Sequence, residues 1–357
     1  MTTTALLAES PLWLTTTDAE DIALCTIGRL TRNLPGIPFP GWSTGKDRAA
    51  AAEQLLPVLR ARRGFKSAWH AEMAELDYAT RQMLRAQLLI SPAMAARQGG
   101  CHLLIPKRKN VTFMLNEEEH LVGHFFRRGL DISGAHRDME QCAAELQESI
   151  TFAHDRRNGY LASYPMEAGE GMRFYAVLHL PGLNMAGMMP QVTKAMEKLH
   201  INISAVHRGA DNEEAGNVYG FFSLSGPENS TAEIAEYFNN VMQRLRERER
   251  QVRLKLLQSD TKTLQDRIGR AYGMLRYAGA LSLREIRDAL SLLRLGTVLG
   301  LLRWEEEDIL PQLRGLELGM AQFTASVPAE QTAALPVPRA QEVRQFLRTT
   351  PHTVTFA

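Results

Sequence analysis

Cysteine is scarce in this chain. Only Cys25, Cys101 and Cys142 occur in 357 residues, an odd number at wide spacing. That excludes a disulfide framework and a cysteine-based zinc pattern, and it suits a reducing cytoplasm. Net charge is nearly absent. Lys and Arg number 41 against 40 Asp and Glu, a balance of +1. No global field therefore draws the chain to nucleic acid or to a membrane. No run approaches the roughly 18 apolar residues of a bilayer-spanning helix. The opening stretch, MTTTALLAESPLWLTTTDAED, has no basic segment ahead of its apolar residues, which argues against a secretory signal. There is no internal repeat and no low-complexity tract. What remains is ordinary globular material, 45% hydrophobic and 23% charged. It is long enough for two domains and a substantial core.

The chain divides by pattern. Residues 1–20 form a loose lead-in. Residues 21–255 alternate strand and helix signals. Asp21–Thr26 is a short strand, followed by an irregular arm holding Arg29, Arg32 and the proline-punctuated PGIPFPG. Asp47–Arg63 and Glu72–Leu89 have helical spacing. Gly99–Lys109, Val111–Leu115 and His124–Arg128 have strand character. Ser133–Phe152 is an amphipathic helix, Phe174–Leu180 an aromatic-rich buried strand, and Met188–Leu199 a helix. Ile201–Val206, Val218–Leu224 and a helix over Thr231–Leu257 complete an α+β domain. Residues 256–357 form a helical domain, and from about residue 255 to Leu318 nothing has strand character. Leu264–Tyr277, Ser282–Leu293 and Thr297–Leu302 are helical, punctuated by glycines and capping hydroxyls. Pro328–Ala340 holds three prolines and marks a linker before a short tail helix.

Five stretches carry chemistry in a recognisable order. Gly159–Leu183, GYLASYPMEAGEGMRFYAVLHLPGL, passes a Gly169-Glu170-Gly171 turn into a strand with Arg173 at its mouth. Two glycines two residues apart allow close backbone approach to a ligand. This stretch resembles the CPTNxGTGLRASVxxHLP segment of the ATP:guanidino phosphotransferases, the phosphagen kinase and protein arginine kinase family. Cys25–Pro40, CTIGRLTRNLPGIPFP, resembles the family's SxRxRLARNxxxxPFP. Met114–His120, MLNEEEH, resembles NEEDH. Arg208–Asn217, RGADNEEAGN, resembles the RGxxGExxEAxGN loop. Asp266–Leu302 resembles the helical C-terminal domain of the bacterial protein arginine kinases. The resemblance implies an antiparallel sheet flanked by helices, followed by a small all-helical domain.

It also implies a reaction, ATP-dependent phosphorylation of arginine side chains in proteins. Phosphoryl transfer needs charge stabilisation and in-line positioning more than covalent help. Arginine binds phosphate oxygens bidentately and is always charged. By the resemblance Arg29, Arg173 and Arg208 hold the nucleotide phosphates beside Gly169 and Gly171. Mg2+ rides on those phosphates, with no protein metal site. A protonated guanidinium is a poor nucleophile, so a carboxylate must draw off its proton. Glu118 matches the family's catalytic glutamate. The second carboxylate falls on Glu213, or on Glu214 if counted back from Gly216-Asn217.

Several positions depart from the family. Its first SxRxR arginine is Ile27, the arginine after NEEDH is Val122, and the histidine before LISP is Leu88. Its CPTN cysteine and asparagine are Tyr164 and Glu167, and GTG has become GEG, which sets Glu170 beside the phosphates. Losing two charge-assisted hydrogen bonds costs about 3–6 kcal/mol in nucleotide binding or rate. Two functions therefore stand open: a kinase with weakened nucleotide binding, or a pseudokinase acting as a binding or scaffolding subunit. The C-terminal domain of the bacterial enzymes implies homodimerisation and an RDxxRA phosphoarginine-reading motif. The nearest text here, Arg339-Ala340-Gln341-Glu342-Val343-Arg344, lacks the aspartate. Leu292, Leu295, Leu299 and Leu302 recur at helical spacing, as a core or a dimer face.

Overall fold

The computed structural model describes residues 2–8, 10–11, 14, 21–97, 99–207, 214–224, 229–304, 309–327 and 329–349. Its centre is an eight-stranded sheet. The strands are β1 (Ala23–Arg32), β2 (Trp69–Glu72), β3 (His102–Ile105), β4 (Val111–Leu115), β5 (Leu121–Arg128), β8 (Met172–His179), β9 (Ile201–Ala205) and β10 (Val218–Ser223). They lie in the order β2-β3-β4-β5-β1-β8-β10-β9, and a two-stranded ribbon pairs β6 (His154–Asp155) with β7 (Gly159–Tyr160). The pairs β2–β3, β3–β4, β4–β5 and β1–β5 are antiparallel. The expected α+β class with an antiparallel sheet is what the chain adopts.

The chain forms two compact units. The first takes in Met1–Trp13, Cys25–Ala176 and Phe222–Val241; the second takes in Leu14–Leu24, Val177–Phe221 and Met242–Ala357. The first unit carries α1 (Thr3–Ala8), α2 (Gly45–Ala61), α3 (Tyr78–Ala86), α4 (Pro92–Ala96) and α5 (Ile132–Gln147). Thr44 and Asp47 form a reciprocal capping box at the start of α2, which satisfies two of its orphan amides. Helix α5 packs on β5. Gly28 makes room on β1, where a Cβ would meet the Met139 sulfur at 2.8 Å.

In this unit Arg29 and Arg32 belong to β1 and not to an irregular arm. Every residue of that strand is buried, so its polar side chains are held by partners rather than by water. Glu72–Leu89 is not one helix. It splits into the end of β2, a 3-10 turn over Met73–Glu75, and α3. Asp77 caps α3 by accepting the Thr80 N–H at 2.7 Å, which fixes a fresh helix start inside the expected one.

The second unit holds α6 (Pro181–Met185), α7 (Met189–Lys198), α9 (Thr261–Tyr277), α10 (Leu283–Val298), α11 (Ile309–Ala325) and α12 (Pro336–Thr349); α8 (Thr231–Ser259) begins in the first unit and continues into this one. Helices α9 to α12 share one apolar core that includes Leu264, Ile268, Leu290, Leu293, Leu313 and Val343. Leu295 and Leu302 are buried there, with Leu292 and Leu299 packed against it. These leucines therefore serve the chain's own core. Thr297–Leu302 is not a separate helix. It contains the end of α10, which closes with Gly300 at φ +70° and the Leu301 N–H bonded to the Gly296 carbonyl at 2.9 Å. A left-handed glycine after the last turn supplies the missing hydrogen bonds. The proline-rich stretch joins α11 to the tail helix and also supplies that helix's first turn. Pro336 and Pro338 sit in the first turn of α12, where no intrahelical N–H is lost.

Polar side chains tie this unit together. Asp21, at φ +48°, is fully buried and pairs with Arg294 at 2.7 Å, Arg314 at 2.5 Å and His179 at 3.2 Å. Glu317 pairs with His207 at 3.1 Å, Arg287 at 3.6 Å and Arg294 at 3.7 Å. Burial works against both carboxylates. Their cationic and histidine partners outweigh it, holding Asp21 well below its usual range and Glu317 down at about 2. The Gly216-Asn217 pair is anchored on α10, with Gly216 N–H donating to Asp288 at 2.7 Å and the Asn217 amide to Ser291 at 2.8 Å.

Candidate active site

The turn joining β4 to β5 contains Asn116-Glu117-Glu118-Glu119-His120. Asn116 takes a left-handed φ of +57°. Its N–H donates to the His120 carbonyl at 3.0 Å, and its side-chain amide donates to Arg48 and Gly100 carbonyls at 2.9 and 2.7 Å. His120 Nδ1 accepts the Leu34 N–H, and Nε2 donates to the Pro38 carbonyl, both at 3.1 Å. The two ends of the motif are structural, and they present the glutamates rigidly.

Three successive glutamates meet three different surroundings. Glu117 is buried against Arg29 at 3.4 Å and accepts the Ser91 hydroxyl. Burial opposes its charge, but Arg29 and then Ser91 hold its pKa below the usual range. Glu119 is also buried. It accepts the Asn33 amide at 2.5 Å and the Ser163 N–H and hydroxyl at 2.7 and 3.0 Å, and burial still raises its pKa. Glu118 is different. Its side chain is 34% exposed and lies 3.6 Å from Arg29. Burial, then the Glu117 charge, push its pKa up. A partly exposed carboxylate that favours its proton is suited to accept one from a substrate. The run of glutamates is therefore no solvated charge run.

Arg29 is the hub. Its Nη2 lies 3.4 Å from Glu117, 3.5 Å from Glu167 and 3.6 Å from Glu118. Directly across from it on β5 stands His124, which in turn stands across from Thr112 on β4. His124 Nδ1 and Thr112 Oγ1 are buried without a hydrogen-bond partner. Burial, then Arg29, depress His124 to about 3. Sequence reasoning missed His124 and Ser91. A histidine inside an apolar strand four residues past the motif was the available signal. Strand alternation puts Ile27 on the same face as Arg29, and Val122 on the same face as His124. Both are buried, so apolar side chains stand where the family resemblance puts arginines.

Arg173, at the mouth of β8, is buried. Its guanidinium donates to the Met172 and Ala168 carbonyls at 2.7 and 3.1 Å. Burial lowers its pKa, opposed by the charges of Glu167 and Glu170. Gly169 and Gly171 both take positive φ, +98° and +64°. Gly171 serves the chain's own backbone: a Cβ there would meet the Thr31 carbonyl and the Arg32 guanidinium at 2.7 Å. Arg32 stacks over Tyr160 at 3.7 Å and donates to the Glu170 carbonyl at 2.9 Å, bracing the turn. The Glu170 carboxylate accepts the Thr231 N–H at 3.3 Å, at the start of α8, where a helix N-terminus favours an anion. The site thus brings together Arg29, Glu118 and, through Glu167, Arg173. Arg208 and Glu213 lie outside the described residues. Glu214 is exposed and hydrogen-bonded to Tyr219.

Comparison with known proteins bears on this constellation. The family model for the ATP:guanido phosphotransferase C-terminal catalytic domain matches residues 56–252, more than half of the chain. The chain belongs to the ATP:guanido phosphotransferase family. This places it among phosphotransferases. The model for the protein-arginine kinase McsB C-terminal domain matches residues 261–355. A protein-arginine kinase of Moorella thermoacetica is 30% identical over 92% of this chain and 94% of its own length. A protein-arginine kinase of Syntrophomonas wolfei is 32% identical over 80% of each. Among solved structures, lombricine kinase superposes with a TM-score of 0.54 at 15% identity, covering 68% of this phosphotransferase and 71% of that chain. The duplicated taurocyamine kinase of Schistosoma mansoni gives 0.54 at 14%, covering 68% and 35%. These two likenesses establish the fold. Among the described residues no helix is long and apolar enough to cross a membrane.

Proposed function

We propose that this phosphotransferase moves the γ-phosphoryl group of ATP to the guanidinium of arginine residues in proteins. The observation that carries the reading is Glu118, partly exposed, pushed up in pKa and fixed beside Arg29 by a braced turn. The curated relatives, named protein-arginine kinases, support the acceptor. In the reaction a guanidinium nitrogen attacks the γ-phosphorus, its proton passes to Glu118, and the bond from phosphorus to the bridging oxygen breaks to release ADP. Arg29, Arg173 and Arg208 neutralise the phosphates, and Glu213 aligns the acceptor. Mg2+ would come bound to the phosphates and offset their charge. Residues 21–255 are the catalytic part and 256–357 the helical part of this reading, in a cytoplasmic protein.

Replacing Glu118 with Gln keeps size and removes the charge. It should lower phosphoarginine formation at saturating Mg-ATP about 100-fold, the scale of a general base. Equal activity in both proteins would refute the assignment. Buried Ile27 and Val122 favour a second reading, a scaffolding subunit with weak nucleotide binding, and wild-type protein that forms no phosphoarginine would select it. Homodimerisation through the helical part belongs to the same proposal. It would need exposed residues such as Tyr277, 78% exposed, because the α10 leucines are occupied; sedimentation at micromolar concentration tests it.

A further inference from the structure

The arginine that should receive phosphate already holds carboxylates. Arg29 is buried, and its Nη2 faces three acids; among the described residues no second guanidinium lies at ion-pair distance from any of them. Two of the acids come from the β4–β5 turn and have separate duties. Glu117 is tied to Ser91, and Glu118 is the proposed proton acceptor. The third, Glu167, is 138 residues away in sequence and comes from a different element. It ends a three-residue 3-10 turn, Pro165–Glu167, whose neighbour Tyr164 is exposed. Among the described residues its carboxylate has Arg29 as its one hydrogen-bonding or ion-pairing partner, at 3.5 Å.

We propose that Glu167 is an internal competitor for phosphate, occupying Arg29 in the nucleotide-free protein and giving it up when nucleotide binds, so that this residue sets nucleotide affinity. A carboxylate and a phosphate oxygen offer the same guanidinium the same charge-assisted hydrogen bond. Both cannot take Arg29 Nη2 at full strength, and two anions held there would repel each other. Glu167 also acts electrostatically on Arg173, so its charge weighs on two of the phosphate-binding arginines. The element that carries it is short and lies at the surface, which lets the carboxylate withdraw without disturbing the sheet. The inference rests on reading Arg29 as a phosphate ligand.

The test is calorimetric titration of the full-length protein with Mg-ATP, comparing wild type with Glu167→Gln, Glu167→Asn and Glu170→Gln. Both Glu167 variants should bind at least about tenfold more tightly, the equivalent of one charge-assisted hydrogen bond. Glu170→Gln should change affinity by less than either Glu167 variant, because that carboxylate faces the Thr231 N–H and, of the phosphate-binding arginines, acts on Arg173 alone. Equal affinity in wild type and both Glu167 variants would overturn the competitor role and leave the nucleotide site standing. Binding in none of the four proteins would overturn the nucleotide site and the competitor with it. Glu167 variants with wild-type Mg-ATP affinity but a raised KM for an arginine-bearing protein would place Glu167 on the acceptor instead.

Discussion

Each compact unit holds a cluster of buried charge, and the proportions of the two are reversed. In the first unit a single guanidinium, Arg29, faces Glu117, Glu118 and Glu167. In the second, Asp21 and Glu317 face Arg287, Arg294 and Arg314, with His179 and His207 beside them. Where cations are in excess, both acids are held low in pKa and stay charged. Where acids are in excess, Arg29 holds buried Glu117 low, and burial, then the Glu117 charge, push the more exposed Glu118 up. The same side chains thus give a sealed structural cluster in one unit and an acid able to exchange a proton in the other. The difference lies in stoichiometry and in access to water.

The comparison breaks most visibly at Asp21. Asp21→Asn removes the carboxylate that buried Arg294 and Arg314 share. Removing one partner of a buried ion cluster costs about 3–5 kcal/mol, so denaturant unfolding should show a loss of that size. Unchanged stability would mean the second cluster does not hold its unit together. A smaller effect is expected at the apolar positions of the first cluster. Ile27→Arg with Val122→Arg adds two cations to the face with excess acid. Mg-ATP affinity should rise about tenfold, as read by calorimetry, and unchanged affinity would remove these positions from the phosphate pocket. The smallest effect is on pH dependence. The carboxyl of Glu317 sits at about 2 against an ordinary 4.5, so its stabilisation is present above the ordinary value and is lost as pH falls toward 2. The Tm of Glu317→Gln should fall less steeply over that window than that of wild type.

Much of this was legible in the residues. The Asn116–His120 motif, the strand after Arg173 and the helical character beyond residue 255 all rest on local pattern and on family resemblance. What local pattern hid was long-range partnership. Nothing near Arg29 says that it lies in a strand, because an arginine on a buried strand is legible only through its acids, and Glu167 is 138 residues away. Asp21 looked like the start of a strand, yet its role depends on Arg294, 273 residues on. Family resemblance singles out Glu118 among Glu117, Glu118 and Glu119, and their distinct neighbours separate a charge partner, a proposed base and a brace. Glu170, beside the phosphates by the resemblance, has its carboxylate capping the start of α8 while its charge still acts on Arg173. Gly171 suggested room for a ligand, and the room is taken by Thr31 and Arg32.

The central claim is that Glu118 accepts the proton because the first cluster leaves it partly exposed and raised in pKa. The pH dependence of kcat/KM tests it directly, since that ratio reports the free enzyme's essential base. Release of ADP, dependent on an arginine-bearing protein, is a readout that survives the acid lability of phosphoarginine. The account predicts that wild-type kcat/KM falls as pH drops through a value above the ordinary glutamate 4.5, while the fold persists because Asp21 and Glu317 remain ionised. The residual rate of Glu118→Gln should lack that inflection. A wild-type profile with no acid limb above 4.5, or the same limb in Glu118→Gln, would contradict the account.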